Sequence, residues 1–333
     1  MNPLIHYSLY GVKEGRKTKK DLMDKSENKF LEENAKFSTV PRYENLKKTL
    51  KGKNGYLFLI NDSNDEMRQH FDLSYTNNFN AEIFIKNLSL KKEFLNKKNI
   101  RYYFFIVPDK SLLCKDFIPF EVKIIKRNYD LNNDILNSLV PDFIEFLDHN
   151  CYYKNDSHIN YLGGKELSYY YLNYIDENFN REIFYKLIKK QISIIDIKYD
   201  GDLTTSNEWG DNWSYPDEEK KEYQNERITV LKNKCLVNLN KEIPDEFKSV
   251  GIRETEYYKN PKGWTELRVL ILRDSSTEYL QDILSIYFKE ILLYWDHGIF
   301  YGFNKQLVEW YKPDIILDIR TERLLENMFY EFK

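Results

Sequence analysis

Two short polar segments of the chain carry the residue types of an acyl-transfer site. Asp156 and His158 stand two residues apart, and Ser275 follows much later in the sequence. A serine hydroxyl becomes a strong nucleophile when a neighbouring imidazole takes its proton, and a carboxylate can fix the tautomer of that imidazole and stabilise its cation. These three residues could therefore supply a nucleophile, a general base and an orienting acid.

The serine motif has a structural explanation beside the catalytic one. Asp274, Ser275 or Ser276 could cap a helix that begins near Thr277, which is a common use of aspartate and serine. A serine at a strand-to-helix turn also has chemical advantages, because its hydroxyl projects from the sheet edge and the first N–H groups of the helix point at an oxyanion. The spacing alone leaves both explanations open.

The aspartate and histidine motif also allows two explanations. Asp156 could simply cap a following helix, with His158 exposed beside it. The catalytic explanation depends on geometry, because residues two apart in an extended loop point the same way and can reach a common partner. Among the other histidines, His297 is the main competitor, since it follows a predicted strand and stands beside Asp296. A solvated loop position also explains His297.

Alternating apolar runs and helical patterns surround these motifs. The sequence predicts strands at 56–60, 101–107, 143–147, 268–272, 290–295 and 314–319, and helices at 80–98, 132–139, 163–174, 277–289, 304–310 and from 321 onward. This alternation indicates an α/β fold with a parallel, doubly wound sheet and helices on both faces, whose ligands gather at the carboxyl ends of the strands. Ser275 is then expected at that edge of the sheet.

The composition excludes several classes of protein. Hydrophobic residues make up 42% of the 333 residues and aromatic residues 16%, which is typical of a folded chain. The formal charge of -3 predicts no nucleic-acid face. Three widely spaced cysteines predict neither a disulfide framework nor a metal site. With no signal peptide and no apolar window approaching ~18 residues, we expect no membrane span and a cytoplasmic location.

Several short segments follow one another in an order that matches a known family. These segments are Gly52-Lys53-Asn54-Gly55-Tyr56-Leu57-Phe58-Leu59, Val107-Pro108-Asp109-Lys110 with Pro119, Asp156-Ser157-His158 with Gly163-Gly164, Gly201-Asp202-Leu203, Arg273-Asp274-Ser275, and Lys312-Pro313-Asp314 with Glu322-Arg323. Through them the chain resembles the alginate-acetyltransferase group of SGNH-fold polysaccharide O-acetyltransferases. The resemblance extends from about residue 52 to the C-terminus.

The resemblance implies a fold, a reaction and a role for each site residue. In that family the Asp and His of a D-x-H motif precede the Ser of a G-D-S motif, so Asp156 would orient His158, His158 would be the base and Ser275 the nucleophile. An SGNH-hydrolase-like, flavodoxin-like sheet is implied. The implied reaction transfers an acetyl group to a hydroxyl of a bacterial capsule or other surface polysaccharide through an acyl-serine intermediate.

Two residues beside Ser275 depart from the family pattern. Arg273 stands where the family usually has Gly, and Ser276 stands where an aromatic residue is common. The side chain of Arg273 could crowd the oxyanion hole or recognise an anionic donor or acceptor. For that reason the transfer of a phosphorus-type group remains an alternative to acyl transfer.

The chain divides into an N-terminal segment and one catalytic domain. Residues 1–51 are expected to be a linker or the remnant of an upstream module, because 2–16 resembles a segment found next to glycosyltransferase modules of surface-polysaccharide enzymes. Residues 52–333 would form the SGNH-like domain, with a polar insertion at about 192–264. Trp209, Trp213 and Tyr215 in this insertion could stack on sugar rings, and a core position for each is an equal alternative.

The sequence thus favours an O-acyltransferase but leaves other functions open. Discharge of the acyl-serine to water would make the protein a carbohydrate esterase, and a non-catalytic glycan-binding module is a further alternative. We expect no bound cofactor. The acyl donor would be acetyl-CoA or another activated carrier, the acceptor a polysaccharide or oligosaccharide, and the protein could act at the inner face of the membrane with fused glycosyltransferase modules.

Overall fold

The computed structural model describes residues 40, 49–62, 64–72, 75, 78–123, 125–129, 136, 139–197, 201–206, 213–214, 228–250, 253–295 and 304–328. The strands are β1 (Thr49–Lys51), β2 (Leu57–Leu59), β3 (Arg101–Val107), β4 (Ile192–Ile197), β5 (Thr205–Ser206), β6 (Trp213–Ser214), β7 (Ile228–Asn233), β8 (Val237–Asn238), β9 (Ser249–Val250), β10 (Arg253–Glu254), β11 (Glu256–Lys259), β12 (Arg268–Arg273), β13 (Glu290–Trp295) and β14 (Ile315–Thr321). The α-helices are α1 (Glu66–Phe71), α2 (Ala81–Asn96), α3 (Lys110–Leu113), α4 (Tyr161–Ile175), α5 (Arg181–Gln191), α6 (Gln281–Leu284) and α7 (Lys305–Tyr311).

The central sheet is mostly parallel. In the described part of the chain its strand order is β3-β14-β12-β13-β11-β8. The first four strands are parallel to one another, and β11 and β8 add an antiparallel edge. Because β14 returns to lie between β3 and β12, the loops after these three strands meet at one carboxyl edge, where ligands of open α/β sheets bind.

The strands bury side chains on both faces of the sheet. Val269 and Ile271 of β12 point into one core, which also receives side chains of α4 and α6. Leu270 and Leu272 point into a second core, together with side chains of α2 and α7. Because successive residues of a strand point to opposite faces, an unbroken apolar run suits a sheet that is covered on both sides. The predicted α/β fold with helices on both faces is confirmed.

Side-chain caps fix the beginnings of the two long helices that flank the sheet. Asn80 accepts a hydrogen bond from the backbone N–H of Ile83 at the start of α2. Asn160 accepts from the N–H groups of Leu162 and Gly163 at the start of α4. These bonds satisfy N–H groups that have no partner within the helix. Both helices lie close to their predicted positions.

Three shorter elements differ from the predictions. Residues 143–147 form a 3-10 helix at Ile144–Phe146 and not a strand, because the Asp142 carboxylate accepts from the N–H of Ile144 and turns the chain. The helix predicted at 277–289 is reduced to the 3-10 helix Ser275–Tyr279 followed by α6, and the last helix is the 3-10 segment Glu322–Asn327. Most of the helix predicted at 132–139 lies outside the described residues.

The end of the predicted insertion belongs to the central sheet. β11 pairs with β13, and β8 pairs with β11, although both strands fall within 192–264. They cover the edge of β13, which would otherwise present unpaired N–H and C=O groups. Another part of the segment forms a separate two-stranded antiparallel sheet of β4 and β7. Residues 192–264 therefore include strands that extend the central sheet.

One buried lysine joins the N-terminal hairpin to the loop that carries Asp156. Lys110 follows β3 and is 2% exposed. Its ammonium donates to the backbone carbonyls of Leu57 at 2.6 Å, Lys154 at 2.9 Å and Asp156 at 2.9 Å. An ammonium group has three N–H donors, and these carbonyls use all of them. The side chain thus fixes the Asp156 loop against β2 and the carboxyl end of β3.

Among the described residues, no helix is both long enough and apolar enough to cross a membrane.

Replacing Lys110 by Met should lower the free energy of unfolding by about 3 kcal/mol, because the carbonyls of Leu57 and Asp156 in buried positions, and that of Lys154, each lose a charged donor. Lys97→Met is the control, since Lys97 forms an ion pair with Glu93 on an exposed helix face and its side chain is 71% exposed. That change should cost less than about 0.5 kcal/mol. Urea denaturation of both variants measures the difference, and equal losses would contradict the role of Lys110.

Candidate active site

The carboxylate and imidazole of the D-x-H motif form a direct pair. The Nδ1–H of His158 donates to Asp156 Oδ1 at 2.7 Å, and the backbone N–H of His158 donates to the same oxygen at 2.8 Å. A carboxylate can only accept these bonds, so the proton of the neutral imidazole lies on Nδ1. Nε2 is then the free base, and among the described residues it is buried without a hydrogen-bond partner.

A second carboxylate completes this cluster. The backbone N–H of Asp202 donates to Asp156 Oδ2 at 3.1 Å. The Asp202 carboxylate accepts from the backbone N–H of Ser157 at 2.7 Å and from its hydroxyl at 2.5 Å. Its Oδ2 lies 3.6 Å from Nδ1 of His158. The structure thus adds Asp202 to a pair that the sequence predicted without it.

A close backbone contact explains the glycine that precedes Asp202. A Cβ atom on Gly201 would lie 2.1 Å from the carbonyl oxygen of Asn155, so a side chain there would push the two segments apart. Gly201-Asp202-Leu203 is one of the segments that carry the family resemblance, although no role for Asp202 followed from it. Its position in a polar segment gave no sign of a contact with Asp156, which depends on the tertiary fold.

Burial and mutual charge set the protonation of the cluster. Burial disfavours the cation of His158, but the charge and hydrogen bond of Asp156, with a contribution from Asp202, outweigh it and raise the pKa of His158 to about 10. Burial would raise the pKa of Asp156, and the imidazolium outweighs this and lowers it to about 2. Burial and the Asp156 charge raise the pKa of Asp202 to about 6. Asp156 therefore stabilises the protonated form of His158, and the neutral form, with its proton on Nδ1, is the one that can act as a base at Nε2.

The hydrogen-bond geometry of the cluster differs from that of a metal site. Asp156, His158 and Asp202 could each offer one ligand atom, and these atoms lie within 4.8 Å of one another. The 2.7 Å separation of Nδ1 and Oδ1 holds a proton between them. Two ligands of one tetrahedral zinc ion would be roughly 3.3 Å apart. The arrangement suits an acid and base pair.

Ser275 stands at the turn between β12 and the 3-10 helix that follows. Asp274 caps this turn, because its carboxylate accepts from the N–H of Ser276 at 2.9 Å, the hydroxyl of Ser276 at 2.5 Å and the N–H of Thr321 at 2.8 Å. Asp274 and Ser276 therefore fulfil the structural role of the motif. Ser275 is half-buried, and its hydroxyl has no hydrogen bond with the described residues.

Tyr279 connects the Ser275 turn to the histidine. It lies one helical turn after Ser275, and its ring centroid is 6.0 Å from that of His158. A Cβ atom on Gly164 would lie 2.4 Å from the Tyr279 carbonyl oxygen, so this glycine allows α4 to approach the turn. The turn and the imidazole are thus neighbours, but no hydrogen bond joins Ser275 to His158 in the described structure. The triad therefore stays a prediction. The missing bond does not contradict it, because hydrogen bonds between catalytic groups are often long before substrate binds.

Arg273 is engaged by neighbouring strands. Its side chain is 5% exposed, donates from Nη2 to Glu256 Oε1 at 2.6 Å and lies over the ring of Trp295 at 5.4 Å. Its Nε and Nη1 have no hydrogen-bond partner among the described residues. Glu256 is therefore the observed anionic partner of this guanidinium. Of the predicted sugar-stacking residues, Trp209 and Tyr215 lie outside the described residues, and Trp213 is described only by its backbone in β6.

At the level of sequence, neither a protein-family model nor a curated protein matches the chain. Solved structures do match its fold. The structure of Bacillus cereus PatB1 with a sulfonyl adduct has a TM-score of 0.52 and 15% identity over 86% of this chain and 100% of that one. The O-acetyltransferase domain of Pseudomonas putida AlgJ has a TM-score of 0.48 and 14% identity over 84% and 93%. Pseudomonas aeruginosa AlgX has a TM-score of 0.45 and 13% identity over 84% and 67%. The match to PatB1 shows a shared fold.

The two serines of the turn should respond differently to replacement by alanine. Ser275→Ala removes a hydroxyl without a partner in the described structure and should change the free energy of unfolding by less than about 0.5 kcal/mol. Ser276→Ala removes a buried bond to a carboxylate and should cost about 2 kcal/mol. Urea denaturation tests this contrast. A larger loss for Ser275→Ala would show that its hydroxyl supports the fold.

Proposed function

We propose that this protein transfers an acyl group, acetyl in the simplest case, to a sugar hydroxyl of a bacterial surface polysaccharide. The observation that supports this most directly is the locked Asp156–His158 pair, which directs Nδ1 to the carboxylate and leaves Nε2 as the base. The neighbouring turn carries Ser275, whose hydroxyl has no hydrogen bond with the described residues. The family resemblance of the sequence adds the acceptor class.

The reaction divides into two displacements at one serine. In the first, neutral His158 takes the Ser275 proton at Nε2 while the oxygen attacks the acyl carbonyl, and the imidazolium then protonates the departing donor group. In the second, His158 takes a proton from the sugar hydroxyl, whose oxygen attacks the acyl carbon. The bond from that carbon to Ser275 Oγ breaks, the imidazolium returns the proton to Oγ, and the sugar ester leaves. Asp156 stabilises the imidazolium in both steps, and the backbone N–H of Ser275 would bind the oxyanion.

The partners of the reaction belong to the same proposal. The donor would be acetyl-CoA or another activated acyl carrier, and the acceptor a capsule polysaccharide or a fragment of one. A cytoplasmic location beside glycosyltransferase modules would bring donor and acceptor together. Arg273 offers little to a phosphorus-type group, because Glu256 already neutralises its guanidinium.

A sulfonyl fluoride tests the nucleophile without knowledge of the donor. The serine oxygen of an activated site attacks sulfur, fluoride leaves and the proton passes to the histidine, so the protein gains a stable sulfonyl ester. Phenylmethanesulfonyl fluoride should label Ser275 in the intact protein, as peptide mass spectrometry would detect. His158→Ala should slow labelling by roughly 100-fold or more. Labelling at Ser276, or none, would contradict the assignment.

Acyl transfer itself is tested with acetyl-CoA and a capsule oligosaccharide. Acetylated sugar should form, and Ser275→Ala should reduce its rate by roughly 1,000-fold or more. Ser276→Ala is the matched control at the adjacent position and should retain activity under conditions where it is folded. Acetate without acetylated sugar would identify an esterase. Full activity in Ser275→Ala would exclude the acyl-serine.

A further inference from the structure

A tertiary contact from outside the D-x-H motif holds the base in place. Asp202 belongs to the segment after β4, and its backbone N–H bonds to Asp156 Oδ2 at 3.1 Å. This bond occupies Oδ2 of Asp156, and Oδ1 accepts from the imidazole of His158 at 2.7 Å. A carboxylate that is fixed at both oxygens cannot rotate, so the orientation of His158 depends on Asp202.

The side chain of Asp202 holds Ser157, the residue between Asp156 and His158. Ser157 donates both its backbone N–H and its hydroxyl to the Asp202 carboxylate, at 2.7 and 2.5 Å. Two bonds to one charged acceptor restrain the loop backbone strongly, because hydrogen bonds to ionised groups are roughly twice as strong as neutral ones. Asp202 thus restrains the loop that carries Asp156 and His158 through side chain and backbone together.

Asp202 also brings a second negative charge to the imidazole. Its Oδ2 lies 3.6 Å from Nδ1 of His158, and its side chain is 34% exposed. The other groups that face the imidazole are Asp156, the exposed Glu278 on the Ser275 turn and the ring of Tyr279, while the Lys110 ammonium contacts the Asp156 carbonyl. Asp202 influences the imidazole more strongly than Glu278, because its carboxylate lies 3.6 Å from Nδ1 whereas Glu278 is exposed to water that screens its charge.

We infer that Asp202 is a positioning residue for the base, which fixes the orientation of Asp156 and Ser157 and stabilises the imidazolium that forms when His158 takes the serine proton. The inference rests on the proposed function for its catalytic meaning. The effect of Asp202 on the orientation and the pKa of His158 can be measured even if the protein catalyses a different reaction.

The negative charge of Asp202 is expected to raise the pKa of His158. Asp202 has a pKa of about 6 and His158 one of about 10, so Asp202 is ionised over the range in which His158 loses its proton. Removing the Asp202 charge destabilises the imidazolium and lowers the pKa of His158. The labelling rate, which needs neutral His158, should then reach its plateau at a lower pH.

The closing experiment measures Asp202→Asn in the full chain by two independent methods. The pH profile of Ser275 labelling by phenylmethanesulfonyl fluoride should shift to lower pH by at least about one unit. The NMR titration of the His158 ring, assigned by its loss in His158→Asn, should shift by the same amount. Glu278→Gln is the matched control, because it removes a nearby but exposed carboxylate, and its shift should be smaller.

A second variant separates position from charge. Ser157→Ala removes one bond to Asp202 and keeps both carboxylates, so the plateau rate of labelling should fall severalfold while the pH profile stays unchanged. It also provides a test if Asp202→Asn fails to fold. If the wild-type protein is not labelled at Ser275, the proposed function fails. If it is labelled and neither the pH profile nor the NMR titration moves in Asp202→Asn, the role of Asp202 is wrong.

Discussion

The structure around the candidate site depends on one buried ammonium group. Lys110 donates to backbone carbonyls from β2 and from the loop before His158, and it lies within 5.4 Å of the centre of the Phe58 ring. Backbone carbonyls carry partial negative charge, so the three carbonyls from these two segments together bind the ammonium group. Because the bond to its carbonyl restrains the backbone of Asp156, it also restrains the position of the Asp156 carboxylate.

Buried ions also fix the strand ends on either side of the site. Asp109, after β3, accepts from the backbone N–H of Arg323, after β14, at 2.8 Å and lies 2.9 Å from Nε2 of His70. Asp274, after β12, accepts from the N–H of Thr321 at the end of β14. A buried charge is costly unless it is paired and hydrogen-bonded, so these groups hold each other in one arrangement. Asp109, Asp274 and Arg323 all belong to segments that carry the family resemblance. Their bonds hold the carboxyl edge of the central sheet in one arrangement.

Short-range patterns in the sequence predict much of this architecture, and long-range contacts explain what they miss. Unbroken apolar runs such as 268–272 predict buried strands because both faces of the sheet are covered. Asp156 and His158 are paired through a contact that spans two residues, so their spacing permits the pairing, although it permits a helix cap as well. Asp202 is a different case, because its contact forms only when a segment from beyond α5 folds back onto the motif. The partner of Arg273 is likewise set by strand pairing, which local pattern does not encode.

The bond between Ser157 and Asp202 has a consequence for how this protein can vary. The contact uses the first residues of the segment that follows β4, and Leu203 is already buried against the domain. The same stretch of chain is anchored again before β8, because Asn233 at the end of β7 donates to Asp282 and to the hydroxyl of Ser285, each at 2.8 Å. Substitutions at Asp202 or at Asn233 are therefore expected to disturb the course of this stretch, and those at Asp202 the Ser157 loop as well.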